Sequence, residues 1–163
     1  MSEVVSPPLV AAGDAVSAWA AATLLDLWGP DAGFDALYVA TSEAGAGEAL
    51  AFWAAARTTG FALAAPGAFP YTLANAPAGR IGTALGIRGP SVTLLGSLAE
   101  ALEVAGEDRA DGLADRALVV HLDPVVAAAT AAPPATRWRL VDRVVASPPS
   151  ADARPDVAAA AGR

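Results

Sequence analysis

A layered α/β domain with a mostly parallel sheet and helices on its faces is predicted by two features of the sequence. Short apolar runs at 36–41, 91–95 and 117–122 alternate with stretches of helical periodicity. The first of these runs is too continuously apolar for a half-exposed strand, as expected of strands covered on both faces. A chain of 163 residues fits one domain and buries a core of its own without metal or disulfide help. The domain is expected over residues 1–146. Residues 147–163, SPPSADARPDVAAAAGR, read as a flexible tail.

After a lead-in with Pro7 and Pro8, Asp14 is a plausible N-cap for a helix running to about Trp28. Val16, Trp19, Ala20, Leu24 and Leu27 repeat at helical spacing, and Ala18, Ala22, Leu25 and Trp28 widen that face almost all round. Such a helix is expected to be covered on most sides. Gly29-Pro30-Asp31 ends it.

The strand Ala36–Thr41 leads through Gly45-Ala46-Gly47 into a second helix, roughly Glu48 to Thr58, with Ala49, Phe52, Trp53 and Ala56 on one face. Phe61 to Pro70, broken by Pro66 and Gly67, reads as a loop. Asn75 is a candidate cap for a third helix, with Pro77 in its first turn and Gly86 at the position after its end. Gly79 and Gly82 each cost that helix about 1 kcal/mol relative to Ala, and their natural use is to let another backbone approach.

Ile87-Arg88-Gly89-Pro90 is a turn, and Ser91–Leu95 a strand rich in β-branched residues. Ser97-Leu98-Ala99-Glu100 matches a capping box. The helix it opens buries Leu98, Ala101, Leu102 and Ala105 and turns Glu100, Glu103 and Glu107 outward. Ala117–Leu122 is a further buried strand, and beyond Asp123-Pro124 the rhythm fades. Val125 to Thr136 reads as a loop, and Arg137 to Val145 as an added edge strand.

Composition narrows the function. Apolar residues make up 55 % and charged residues 17 %, below the usual quarter, so the surface is small-residue-rich or covered by a partner. The basic residues are all Arg, which removes Schiff-base chemistry. The chain has no Cys, which removes disulfides, thiolate metal sites and thiol nucleophiles. A net charge of −7 argues against a nucleic-acid surface and disfavours an anionic membrane. MSEVVSPPLV lacks the basic and long apolar regions of a signal peptide, and Ala15–Leu25 is too short to span a membrane, so a cytoplasmic location is expected.

Several constellations bear on chemistry. Ser97, His121 and Asp123 supply the residue types for acyl transfer, yet the Gly-x-Ser-x-Gly pattern is absent and capping already explains Ser97. One His and no Cys leave no ligand set for a metal. Asp111 with Asp115, or Glu107 with Asp108, read as solvated charges near a helix end. The Gly45-Ala46-Gly47 turn lacks the third Gly of a dinucleotide fingerprint, and Glu43 and Glu48 would repel a pyrophosphate. Neither a cofactor nor a metal is expected.

One segment is more specific. Phe69-Pro70, Asn75, Ala78-Gly79, Gly86-Ile87-Arg88-Gly89-Pro90-Ser91 and the strand Val92–Leu95 stand in the order and spacing of the N-terminal half of a β-ketoacyl synthase, which the chain resembles from about Ala36 to Asp123. The resemblance implies a layered thiolase-like half-fold in which Asn75, Gly79, Arg88, Gly89 and Pro90 are structural motif positions. It also implies that the family's nucleophilic Cys falls on Leu98, with Ser97 and Glu100 capping the helix there. A Leu cannot carry an acyl group, and the family's second half, with its catalytic His residues, is not in the sequence.

The expected function is that of a chain-length-factor-like pseudoenzyme, pairing with a full-length β-ketoacyl-ACP synthase in type II polyketide or fatty-acid biosynthesis. Phe69, Tyr71, Leu73, Val92 and Leu94 would then face the partner or its acyl pocket, with an acyl carrier protein as a further partner. Two alternatives stay open: a homodimeric scaffold or acyl-binding pseudoenzyme, and an acyl hydrolase or transferase using Ser97.

Overall fold

The structure, a computed structural model, describes residues 1–5, 15–43, 46–64, 66–125 and 137–146. Its elements are β1 (Ser2–Val5), α1 (Ala15–Trp28), β2 (Ala36–Thr41), α2 (Ala46–Thr59), α3 (Ala76–Ala84), β3 (Ser91–Leu95), α4 (Leu98–Ala110), β4 (Arg116–Val125) and β5 (Arg137–Ala146). Two 3-10 segments, Phe61–Leu63 and Pro66–Thr72, join α2 to α3 where a loop was expected. The Asp14 cap, the loop after Val125 and the C-terminal tail lie outside the described residues.

The five strands form one sheet in the order β1-β5-β4-β2-β3. β2 is central to its parallel part, paired with β3 on one side and β4 on the other. β5 runs antiparallel to β4, and β1 antiparallel to β5. The expectation of a mostly parallel sheet is therefore right only for β3, β2 and β4. The connection between β4 and β5, residues 126–136, is shorter than the dozen or so residues that a parallel crossover needs. The 137–145 segment is also no edge strand: β1, from the extreme N-terminal sequence, covers it. β4 itself continues through Asp123-Pro124 to Val125, where an end was expected.

Alternation of side chains across the strands builds two cores. Leu37, Val39, Leu118, Val120, Leu122 and Leu140 meet α1 and α3 on one face. Ala36, Tyr38, Ala40, Ala117 and Val119 meet α4 on the other. Every residue of β2 is buried, as its continuous apolar sequence predicts. Each large aliphatic side chain so enclosed contributes about 2 kcal/mol.

The helices are less completely covered than their sequences suggest. α1 buries Val16, Ser17, Ala20, Ala21 and Leu24 but leaves Ala22 and Leu27 exposed. α2 departs further: of its described side chains only Ala56 is buried, and Leu50 and Trp53 stand in the open. Its packing partners are the two 3-10 segments, through edge-to-face contacts of Phe52 with Phe69 and of Trp53 with Phe61. An apolar face implies a cover, and this chain's own sheet does not supply it.

α3 ends as expected. Gly86 takes φ +68°, its N–H donates to Thr83 O, and the Ile87 N–H donates to Gly82 O, which together satisfy the last carbonyls of the helix. Its start differs, because the Asn75 side chain makes no capping hydrogen bond. Nor do the helix glycines admit a close backbone among the described residues. A Cβ on Gly79 would meet nothing within 4 Å, and one on Gly82 only the Leu37 side chain at 3.8 Å. The close approach occurs at Gly89, whose missing Cβ makes room for the Asp35 carbonyl.

Candidate functional site

The C-terminal ends of the parallel strands gather the residues with chemical potential, as open α/β sheets generally do. Register places Leu94 of β3 and His121 of β4 on either side of Ala40 in β2. Just beyond this row the Gly96 N–H donates to Thr41 O at 3.2 Å, and the Ser42 N–H donates to Asp123 Oδ1 at 2.7 Å. The end of β2 is thus tied to both neighbours.

At the β3–α4 junction the capping box predicted from the sequence is present. The Glu100 N–H donates to Ser97 Oγ at 3.3 Å, while Glu100 Oε2 accepts from the Ser97 N–H at 2.6 Å and from its hydroxyl at 2.9 Å. These hydrogen bonds to the carboxylate hold Glu100 below the usual carboxylate range. The Ser97 hydroxyl proton is directed to Glu100. Leu98, the next residue, opens α4 and lies half-buried against the α4-face core.

His121 belongs to a separate pair. Its Nε2 lies 2.9 Å from Asp123 Oδ2, and the backbone of Ser42 fixes the other oxygen of that carboxylate. β2 stands between the strand bearing His121 and the strand leading to Ser97. The residue types of an acyl-transfer triad therefore occupy one end of the sheet as two pairs, Ser97 with Glu100 and His121 with Asp123. No group of His, Asp and Glu among the described residues could hold a metal ion. No helix among them is long and apolar enough to cross a membrane.

The remaining positions fall into two areas. Val92 and Leu94 are half-buried and turn toward α4, while the outer edge of β3 is unpaired among the described residues. Phe69 and Tyr71 lie in the second 3-10 segment and Leu73 follows it, with Phe69 and Leu73 exposed. Asn75 starts α3, Arg88 is exposed, and Pro90 O accepts from the Leu37 N–H at 2.8 Å, aligning the start of β2 with β3.

Three polar ties escape a reading of the sequence. Asp142 of β5 is fully buried, accepting from the Ser2 N–H and from Trp28 Nε1, both at 2.8 Å, and from the Ser2 hydroxyl. The Asp35 carboxylate accepts from the Asp115 and Arg116 N–H groups at 2.9 and 3.0 Å, and Arg116 stacks on Phe34 while donating to Ala32 O. Tyr38 bonds Asp108. Only Asp142 leaves a visible signal, a charged residue two positions after Leu140 on the core-facing side of a period-two strand.

No protein-family model matches the chain, and no curated protein does either. Among solved structures it is similar to the ishigamide ketosynthase/chain length factor, with 20% identity and a TM-score of 0.50 over 66% of this chain and 35% of that one. It is also similar to a chain of the ketosynthase ApeO in complex with its chain length factor ApeC from Xenorhabdus doucetiae. There the identity is 11% and the TM-score 0.57, over 85% of this chain and 58% of that one. The chain thus spans less than two thirds of the length of either of these two structures. At these identities the likeness shows the fold, the thiolase-like α/β architecture of ketosynthases and chain length factors.

Proposed function

We propose that this chain is a partner subunit of a β-ketoacyl-ACP synthase, contributing surface and acyl-pocket wall to its partner and no nucleophile of its own. The observation that carries the reading is Leu98. It stands directly after the β3–α4 turn, where the family resemblance puts the nucleophilic Cys, and its alkyl side chain packs toward the core. The neighbouring Ser97 is engaged by Glu100. The outer edge of β3, unpaired among the described residues, supports the same reading, since it offers a second chain a row of backbone donors and acceptors.

The reaction class served is decarboxylative condensation of acyl units in polyketide or fatty-acid synthesis, with this chain helping to set how long a product the pocket admits. The test is co-expression with a tagged ketosynthase from the same genome, followed by size-exclusion chromatography with light scattering. A 1:1 complex is expected, and failure of the two chains to co-purify overturns the proposal. Ser97→Ala should leave turnover of that complex unchanged. Lost turnover with an intact complex would favour an acyl hydrolase or transferase.

A further inference from the structure

We propose that His121 and Asp123 form a general-base pair that activates water, and that the chain hydrolyses small acyl esters in the crevice between the C-terminal ends of β2 and β4. The step uses no nucleophilic side chain, so it stands or falls apart from the partner-subunit reading.

The sheet order makes the crevice. From its C-terminal end β2 runs on through α2 and α3 to β3 on one side, while β4 runs on to β5 on the other. Adjacent parallel strands whose onward connections part in this way leave an opening beyond their ends, where open α/β sheets usually hold their ligands. Register sets His121 beside Ala40, and the period-two alternation of β4 turns His121 and Asp123 to the α4 face, with Ala117 and Val119. Leu94 and Leu98 are half-buried on that face and give an acyl group an apolar wall.

The pair has the parts that base catalysis needs. Asp123 Oδ2 lies 2.9 Å from His121 Nε2, and Oδ1 accepts from the Ser42 N–H at 2.7 Å, so a backbone amide fixes the carboxylate that orients the imidazole. With its Nε2 proton directed to Asp123, the neutral ring carries its lone pair on Nδ1, for which no described residue supplies a partner. The two side chains keep 24 % and 27 % of their surface in solvent, which gives water access to the pair. Of the surrounding charges, Arg139, opposite Asp123 on β5, pairs with Glu3 of β1 at 3.2 Å, and Glu100 of α4 is engaged by Ser97. Glu43 follows Ser42 at the end of β2.

In the reaction, Nδ1 takes a proton from water as the water oxygen attacks the ester carbonyl carbon. The tetrahedral adduct collapses, the bond from carbon to the leaving oxygen breaks, and that oxygen takes the proton back from the imidazolium, giving acid and alcohol. Asp123 stabilises the imidazolium and stays ionised throughout.

The test is hydrolysis of p-nitrophenyl butyrate by the full chain. Wild type should exceed an equal concentration of free imidazole on the order of 100-fold, through a single ionisation whose base form is active. A rate no greater than that of imidazole overturns the proposal. His121→Gln still offers Asp123 an N–H, so the fold should persist under circular dichroism while the rate drops on the order of 100-fold. A folded variant that keeps the rate overturns the proposal too. Should that variant fail to fold, diethyl pyrocarbonate decides, because the chain has one His. Modifying the ring should abolish the wild-type rate and hydroxylamine should restore it, and a rate that survives modification sinks the idea. The single ring also gives one set of nitrogen NMR signals, expected as the Nε2–H tautomer in wild type and as a mixture in Asp123→Asn, with a lower rate. The Nδ1–H tautomer in wild type would remove Asp123 from its orienting role and overturn the pair. Loss of the rate in folded Ser97→Ala would assign hydrolysis to Ser97 and overturn it likewise. Co-purification with a ketosynthase is read separately and is unaffected by any of these results.

Discussion

The hydroxyl of Tyr38, in the buried strand β2, donates to Asp108 Oδ2 on α4 at 2.6 Å. It ties the α4 face of β2 to the helix that covers it. Burial first, and then the hydrogen bond and the charge of Asp108, push the Tyr38 phenol well above its ordinary value of 10.

The sign of the resulting pH dependence is fixed. The unfolded chain loses the Tyr38 proton near its ordinary value while the folded chain keeps it. The stabilisation is therefore complete below pH 10 and declines as pH rises above it. Urea denaturation between pH 8 and pH 11 (roughly the window set by an ordinary tyrosine) should show the decline in wild type and a shallower one in Tyr38→Phe. At neutral pH that variant should lose about 1 kcal/mol. Equal slopes in the two proteins would disprove the assignment.

Gly89→Ala should destabilise the fold by about 2 kcal/mol or more. A Cβ there meets the Asp35 carbonyl, a backbone atom that cannot swing aside, and Asp35 in turn holds the first amides of β4. The urea midpoint should fall at constant slope. Gly79→Ala, where a Cβ meets nothing within 4 Å, should leave the isolated chain as stable or slightly more so.

Asp142→Ala should cost about 3 kcal/mol, because it leaves the Trp28 indole N–H and the Ser2 amide without their acceptor. Hydrogen exchange should speed up first in β1 and in its partner positions on β5. Unchanged protection of Ser2–Val5 would show that the pairing of β1 does not depend on this carboxylate.

Ser97→Ala removes the cap of α4 and should cost about 1 kcal/mol. The Glu100 contribution has the opposite pH sense to that of Tyr38. A carboxylate held below its ordinary value stabilises the fold above that value, and the benefit disappears as pH falls through the folded-state value. An acid titration of stability should therefore be flatter in Ser97→Ala, which loses the hydrogen bonds to the hydroxyl.

Local signals carried much of the fold. Continuous apolar runs located β2, β3 and β4; Gly86 located the end of α3; and Ser97 with Glu100 located the start of α4, since each rests on contacts within a few residues. The rest depended on partners distant in sequence. β5 reads as an edge strand until β1, about 140 positions earlier along the chain, is seen beside it. α2 has the apolar pattern of a buried helix, and its sequence does not reveal that Leu50 and Trp53 stand in the open among the described residues. At the site the Ser97–Glu100 cap was legible, whereas the pairing of His121 with Asp123 and Ser42 required the sheet order. Asn75 was a sound candidate cap whose side chain makes no such bond.

The open edge of β3 has a consequence for handling the molecule. Ser91-Val92-Thr93-Leu94-Leu95 contains no charge and no proline, the devices by which exposed strands resist adding further copies of themselves. A chain made without a cover for that edge competes with its own aggregation, and the losing share grows with concentration. Yield on expression alone, compared with yield alongside a partner, thus becomes a direct reading of how well the edge is capped.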